Sequence, residues 1–343
     1  MIVARRIIYL AYYLRKMNWP LLRRFMSHTK SQTGRSHVRQ WFEVVASSLR
    51  YNISPLEYYQ FGFPYLSAAE RSSWAGTGAM YEFQLKANPP AHREVLRDKR
   101  RFYHAYRDFF RHQMFTLEEL RRDADLQTSL ITHNEKLVFK SATGSCGAGV
   151  KVIACAELDN RDLADFMRDS GFDLVETFVQ QHPQLNELSP SAVNTVRIFT
   201  CLDKQDRCVI LGCRLRISVN SPVDNLAAGN LAAPVDETTG VVNGPGVYSD
   251  ITKPATSVHP VTGASIVGFA IPYWPQTLEL VKTASRLHPQ NRSVGWDIVI
   301  TPDGPGLIEG NHDWCKLVWQ LPVRKGLKAL LPQDPRYAGA PSQ

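Results

Sequence analysis

Apolar positions change their period near residue 96. Before it they recur every three or four residues: Ile7, Leu10, Ala11, Leu14 and Met17 share one stripe of a helical wheel, with Arg6, Arg15 and Lys16 elsewhere on it and Tyr9, Tyr12, Tyr13 and Trp19 interleaved. That spacing predicts an amphipathic helix. The pattern returns at 40–50 and 67–73, and Pro55, Pro64, Pro89 and Pro90 punctuate it, so residues 1–95 read as a mostly helical region. From 96 onward short β-branched runs take over, at 137–139, 150–155, 174–179, 194–202, 209–219, 265–271, 295–301 and 307–308, with helices expected at 159–170 and 275–287. Thr116-Leu-Glu-Glu119 is a capping box opening a further short helix. Strands in local hairpins with helices between them predict α+β subdomains, two or three for this length, rather than a doubly wound sheet. The tail from 331 to 343 is expected to fray.

Composition then narrows the class. With 343 residues, 44% hydrophobic and 21% charged, the chain is neither disordered nor fibrous. The net charge of +8 is concentrated at one end: residues 1–50 carry ten Lys/Arg against Glu43 alone, a balance of +9, and the remaining body is close to neutral. A protein that coats nucleic acid spreads its basic charge, and no reader motif accompanies this one, so no nucleic-acid partner is expected. A basic, aromatic helix suits the interface of an anionic membrane, yet its stripe equally suits docking on its own body. The apolar run at 7–14 is far short of the roughly 20 residues that cross a bilayer. Six cysteines without a CxxC pair give neither a disulfide framework nor a zinc site, and a reducing cytoplasm is the simplest location.

Candidate chemistry lies in four places. Residues 140–149, Lys-Ser-Ala-Thr-Gly-Ser-Cys-Gly-Ala-Gly, join two expected strands; Gly144, Gly147 and Gly149 let backbone N–H groups approach an anion, and Lys140 aims an ammonium at the same place. The loop is neither a Walker loop nor a dinucleotide fingerprint, because no helix follows it, and a plain flexible turn has the same composition. Residues 295–311 fold naturally as a hairpin through Thr301-Pro-Asp-Gly304. If it is symmetric about Asp303, Asp297 faces Glu309 with Cβ atoms about 5 Å apart, and Asn311 shares their side. Two carboxylates and an amide oxygen on a partly dry sheet form an oxygen set suited to Mg²⁺; on a wet face they are only surface polarity. Arg197, in mid-strand among apolar neighbours, needs an anionic partner, either a structural carboxylate or a phosphoryl group. Glu176-Thr-Phe-Val179 ends an apolar strand.

Taken in order, Lys99, Lys140 with its glycine loop, Glu176 to Val179, Arg197, Asp297 and Glu309-Gly-Asn311 resemble the ATP-grasp superfamily from about residue 95 to 325. Asp98-Lys99, Gln180-Gln-His-Pro183, Asn194-Thr-Val-Arg197, Asp224-Asn225 with Gly229, and Gly295-Trp-Asp297 look like its sugar-transfer-associated branch, related to α-L-glutamate ligases. The resemblance implies ATP clasped between two α+β subdomains, a smaller one at 96–180 with the glycine lid and a larger one at 181–330 with the Mg²⁺ site. Lys99 and Lys140 would reach the phosphates, and Ser141, Gly144, Ser145, Gly147 and Gly149 would belong to a lid over them. Glu176, Thr177, Phe178 and Val179 would form the adenine hinge, with Phe178 lining the base. Asp297, Glu309 and Asn311 would hold Mg²⁺, and Arg197 with Lys140 would steady the phosphoryl group in transfer. Asp224, Asn225, Gly229 and Asn230 would help form an acceptor pocket, although a surface turn explains them equally. Cys146 and Ala148 depart from the Gly, Ser or Lys expected of such a loop.

What the resemblance implies in function is a carboxylate–amine ligase using ATP and Mg²⁺ through an acyl phosphate, with a sugar or other small-molecule carboxylate and an amine as partners, in surface or secreted polysaccharide synthesis. A nucleotide-binding adaptor and a phosphotransferase are the alternatives. The basic residues 1–30 would place such an enzyme beside anionic lipid or a lipid-linked glycan.

Overall fold

Capped segments of helical period build the amino-terminal region of the computed structural model, which describes residues 2–142, 149–158 and 162–332. Its helices are α1 (Ile2–Arg15), α2 (Trp19–Thr33), α3 (His37–Tyr51), α4 (Pro55–Gln60), α5 (Ala68–Ser72) and α6 (Thr77–Ala87). Asn18 and Ser36 accept from backbone N–H groups in the first turns of α2 and α3, and Gly34 ends α2 in the left-handed region at φ 70°. Ser54 and Glu57 form a capping box on α4, with Pro55 in the first turn where a missing N–H costs nothing. α1 lies along α3: Tyr13 is buried, and Arg6 donates to the Leu49 and Arg50 carbonyls at 2.8 and 2.7 Å.

After α7 (Glu94–Arg97) and α8 (Lys99–Tyr106) comes the first sheet, made of β1 (Met114–Thr116), β2 (Lys136–Lys140), β3 (Lys151–Ala154) and β4 (Leu174–Thr177) in the antiparallel order β1-β4-β2-β3. α9 (Leu117–Arg122), opened by the Thr116/Glu119 capping box, α10 (Ala124–His133) and α11 (Leu163–Ser170) bury Leu120, Leu130 and Met167 against Leu137, Phe139 and Val175 of this sheet.

The second sheet follows α12 (Pro183–Leu188). Its strands are β5 (Val196–Leu202), β6 (Cys208–Ile217), β7 (Leu231–Val235) and, after α13 (Trp274–Leu287), β8 (Ser293–Thr301) and β9 (Gly304–Asn311); α14 (Lys316–Gln320) comes last. The order is β7-β6-β5-β8-β9, antiparallel throughout. One face, with Val196, Ile198, Leu215, Trp296 and Ile298, packs on Phe102 and Tyr106 of α8 and on Val281 and Ala284 of α13. The other sends Phe199, with Trp314 and Trp319, into the core of the amino-terminal helices beside Phe25, Phe61 and Trp74. α8 thus precedes the first sheet in sequence but packs on the second, which sets Lys99 between them; its backbone N–H donates to the Ala142 carbonyl at 3.2 Å, beyond the end of β2.

One expected strand does not form. Residues 265–271 make isolated pairings, Val258 with Ser265 and Val241 with Ala270, because Gly268 at φ 85° turns the chain out of extended geometry.

Candidate active site

The β8–β9 hairpin brings its acids together by a route the sequence does not advertise. Thr301 pairs with Gly304, so the turn holds two residues, Pro302 and Asp303. Continued without interruption, that register would set Asp297 opposite Ile308. A β-bulge at Ile308 adds one residue to β9, so Ile298 pairs with Leu307 and Asp297 pairs with Glu309. Asn311 pairs with Gly295, whose position tolerates no side chain: a Cβ there would lie 2.5 Å from that of Trp314.

Neighbouring strands extend this pair into a charged row. Register sets Arg197 on β5 beside Asp297, and Arg214 on β6 beside Arg197. The Arg197 guanidinium grips both Asp297 oxygens, Nη2 donating to Oδ2 at 2.7 Å and Nε to Oδ1. Arg216, on the same face as Arg214, donates from Nη1 to Asp297 Oδ2 at 2.8 Å and from Nη2 to Asp224. Asp224 also accepts from the Thr195 N–H and hydroxyl at 2.9 and 2.5 Å. Burial alone would raise the Asp297 carboxyl; Arg197 and Arg216 reverse this and hold it below the ordinary range. Glu309 goes the other way. Burial, then the charge on Asp297, pushes its carboxyl up; it shares a hydrogen bond with Asp297 and accepts one from Asn311 Nδ2 at 3.0 Å.

A second cluster stands at the end of β2. Lys140 Nζ donates to Glu176, and His112 Nε2 lies 3.5 Å from the same oxygen. The glutamate is buried, which would raise its carboxyl, but Lys140 and His112 prevail and pull it to about 2. Lys99 links the clusters: its ammonium donates to the Ser141 carbonyl at 3.3 Å, and it lies within electrostatic reach of Glu309, Lys140 and Glu176, while burial lowers its own pKa.

The remaining expected residues scatter more. Gly144, Ser145 and Gly147 lie outside the described residues, as do Cys146 and Ala148. Ser141 and Gly149 stand side by side at the base of the loop, Gly149 at φ 76°. The Thr177 hydroxyl accepts from the Gln113 N–H at 3.0 Å, and Val179 is buried. The Phe178 ring is exposed, with the Lys136 ammonium 5.6 Å above it. Of the four acceptor-pocket candidates Asp224 joins the charged row, whereas Asn225 caps its own turn, Gly229 supplies φ 88°, and Asn230 ties the loop together through Val219, Val223 and Asn225.

Three residues escaped sequence reasoning. Arg214 and Arg216 alternate in the apolar strand β6, and the argument that flagged Arg197 flags them too. Arg214 donates to the Trp319 carbonyl, tying α14 to the row, and burial lowers its pKa to about 10. His112 stands alone in sequence; its buried Nδ1 has no partner among the described residues.

The donor set suits a hard divalent cation. Asp297, buried, and Glu309, half-buried, face each other with their carboxyls driven apart in pKa, the pattern of two acids sharing a proton where a cation would relieve them; Asn311 completes an oxygen set fitting Mg²⁺. Among the described residues no group of three His, Cys, Asp or Glu side chains is placed to hold a metal ion.

Two antiparallel sheets, one ending in Lys140 and the other carrying the acidic pair, with Lys99 on a helix between them, have the build of an ATP-grasp protein. The family model of sugar-transfer-associated ATP-grasp proteins matches residues 79–333, and the chain belongs to that family. The match begins in α6, earlier than the glycine loop and its lysines would suggest. A search of curated proteins finds no match. Similar solved structures include the biotin carboxylase of Campylobacter jejuni in complex with an ATP analogue (10% identity, 75% of this chain and 50% of that one, TM-score 0.46) and an L-amino acid ligase from Bacillus licheniformis (13%, 71% and 48%, 0.42). A third is the D-cycloserine synthetase DcsG (12%, 79% and 80%, 0.38). The chain spans about half the length of the first two.

Proposed function

We propose that this protein is an ATP-dependent carboxylate–amine ligase that joins an amino acid or amine to a uronic-acid-type sugar carboxylate in the synthesis of a surface or secreted polysaccharide. The observation that carries the reading is the Asp297–Glu309 pair, its Asp297 buried beside Arg197, with Lys99 connecting it to Lys140. Bound Mg²⁺ and ATP would supply an electrophilic phosphoryl group and neutralise its charge. Asp297, Glu309 and Asn311 would hold the cation; Lys99, Lys140 and the 141–149 loop would hold the phosphates; residues 176–179 would meet the base.

The chain's own part is positioning and charge. A carboxylate resists amine attack because oxide is a poor leaving group. Once its oxygen attacks the γ-phosphorus and the bridging bond to ADP breaks, the acyl carbon carries phosphate as leaving group; the amine then forms the C–N bond, loses a proton and expels phosphate. Arg197 would stabilise the phosphoryl group in transfer, and the buried row would keep water from the acyl phosphate. Arg216 and Asp224, adjoining Asp297, favour placing the acceptor carboxylate at that end. Such a reaction draws on cytoplasmic ATP and suits the inner face of a membrane where lipid-linked glycans are built.

The test is ADP release against a panel of uronic acids and amines, with mass spectrometry of the product. An amide with stoichiometric ADP and phosphate is expected. A phosphorylated acceptor would make the protein a phosphotransferase, and nucleotide binding without acceptor-dependent ADP would make it an adaptor.

A further inference from the structure

Among the described residues, the three most exposed large apolar side chains are Phe42 (74%), Ile8 and Val38 (67% each), and all lie on α1 or α3. Ile7 and Tyr12 of α1, and Trp19 at the start of α2, are exposed too. The helices α1 and α3 run side by side in opposite directions: Arg6 reaches the end of α3, while Trp19 meets Trp41 near its start, ring centroids 6.1 Å apart. One helical turn separates Val38 from Phe42, and one separates Ile8 from Tyr12, so each helix of the pair carries an apolar ridge. Isolated exposed apolar residues are ordinary; two ridges on adjacent helices are not.

Exposed cations lie on α1 itself and on the adjoining α2. Arg15, Lys16, Arg23 and Lys30 are exposed, and none forms an ion pair among the described residues. The single acid of residues 1–50, Glu43, is already held by Arg35 and Arg39. We propose that the α1/α3 face docks on an anionic phospholipid bilayer, its apolar ridges entering the interface and its cations meeting lipid phosphates. A second copy of the chain fits the face poorly, since pairing would oppose two regions of +9. No helix among the described residues is long and apolar enough to cross the membrane, so the contact is peripheral. This inference rests on exposure and charge alone and stands or falls apart from the ligase reading.

Flotation of the full chain with phosphatidylcholine vesicles, with and without about a quarter phosphatidylglycerol, is expected to raise the protein only with the anionic lipid, and added salt to release it. Ile8→Asp combined with Phe42→Asp, and separately Arg15→Glu combined with Lys16→Glu, should each lower partitioning more than about tenfold while leaving the thermal melt unchanged, since all four side chains are exposed. Equal partitioning of variants and wild type, equal flotation with neutral vesicles, or a dimer in light scattering that the Phe42 variant abolishes would each overturn the proposal.

Discussion

The two charged clusters that face each other across Lys99 are built on opposite principles. On the first sheet Glu176 is a carboxylate made permanent: buried, but gripped by Lys140 and approached by His112, its carboxyl lies at about 2. On the second sheet the row is divided, since two arginines hold Asp297 ionised and leave Glu309 with its carboxyl raised. A self-neutralised cluster serves as a fixed support. A cluster with one acid pushed toward its proton is a place where a cation gains by binding, because it replaces that proton.

The sharpest way to break this comparison is to alter the two acids of the hairpin separately. Glu309→Gln resembles the protonated acid in shape and charge, so the thermal melt should stay close to wild type while Mg²⁺-dependent ADP release falls by about a hundredfold or more. Wild-type rates would remove Glu309 from the site. Asp297→Asn should do the reverse to stability: Arg197 and Arg216 lose the acid between them, and breaking a buried pair in this way costs roughly 3–5 kcal/mol, read as a lowered urea midpoint. If the two variants unfold alike, the division of roles within the row is wrong.

The sequence led to this site partly through compensating errors. Symmetry about Asp303 implied a three-residue turn; the turn holds two, and the bulge at Ile308 supplies the missing register step, so Asp297 still meets Glu309. Nothing in Leu307-Ile308 marks a bulge, because consecutive apolar residues also read as a strand buried on both faces. Arg197 was legible from the cost of burying an unpaired charge, and its partner Asp297 emerges only from the pairing of β5 with β8, a hundred positions apart. His112 was not legible, since a lone histidine has no periodicity. The amino-terminal stripe predicted a helix but not the surface it would meet; docking ties Arg6 to the end of α3, buries Tyr13 and leaves Ile8 and Tyr12 outside.

Acid sensitivity sharpens the contrast at the first sheet. Glu176 falls from an ordinary 4.5 to about 2 on folding, so its contribution is complete above pH 4.5 and lost as pH drops toward 2. At full strength it is on the order of 3 kcal/mol. Glu176→Gln should therefore be less stable than wild type at pH 7, where Lys140 is left without its carboxylate, and the gap should narrow between pH 4.5 and 2. Urea midpoints at stepped pH measure it, and a gap that stays constant would show that Glu176 is not a permanent anion.

The smallest effect is expected at Phe178. Its ring is exposed, with the Lys136 ammonium above it. An exposed cation–π contact is worth about 0.5–1 kcal/mol, so Phe178→Ala should lower stability by no more than that. Titration with Mg·ADP followed by calorimetry tests the base contact directly: with the ring outside, affinity should change less than about twofold, whereas loss of a stacking partner would weaken it about fivefold or more. A large loss would set the ring against the base; a small one would leave it outside that contact.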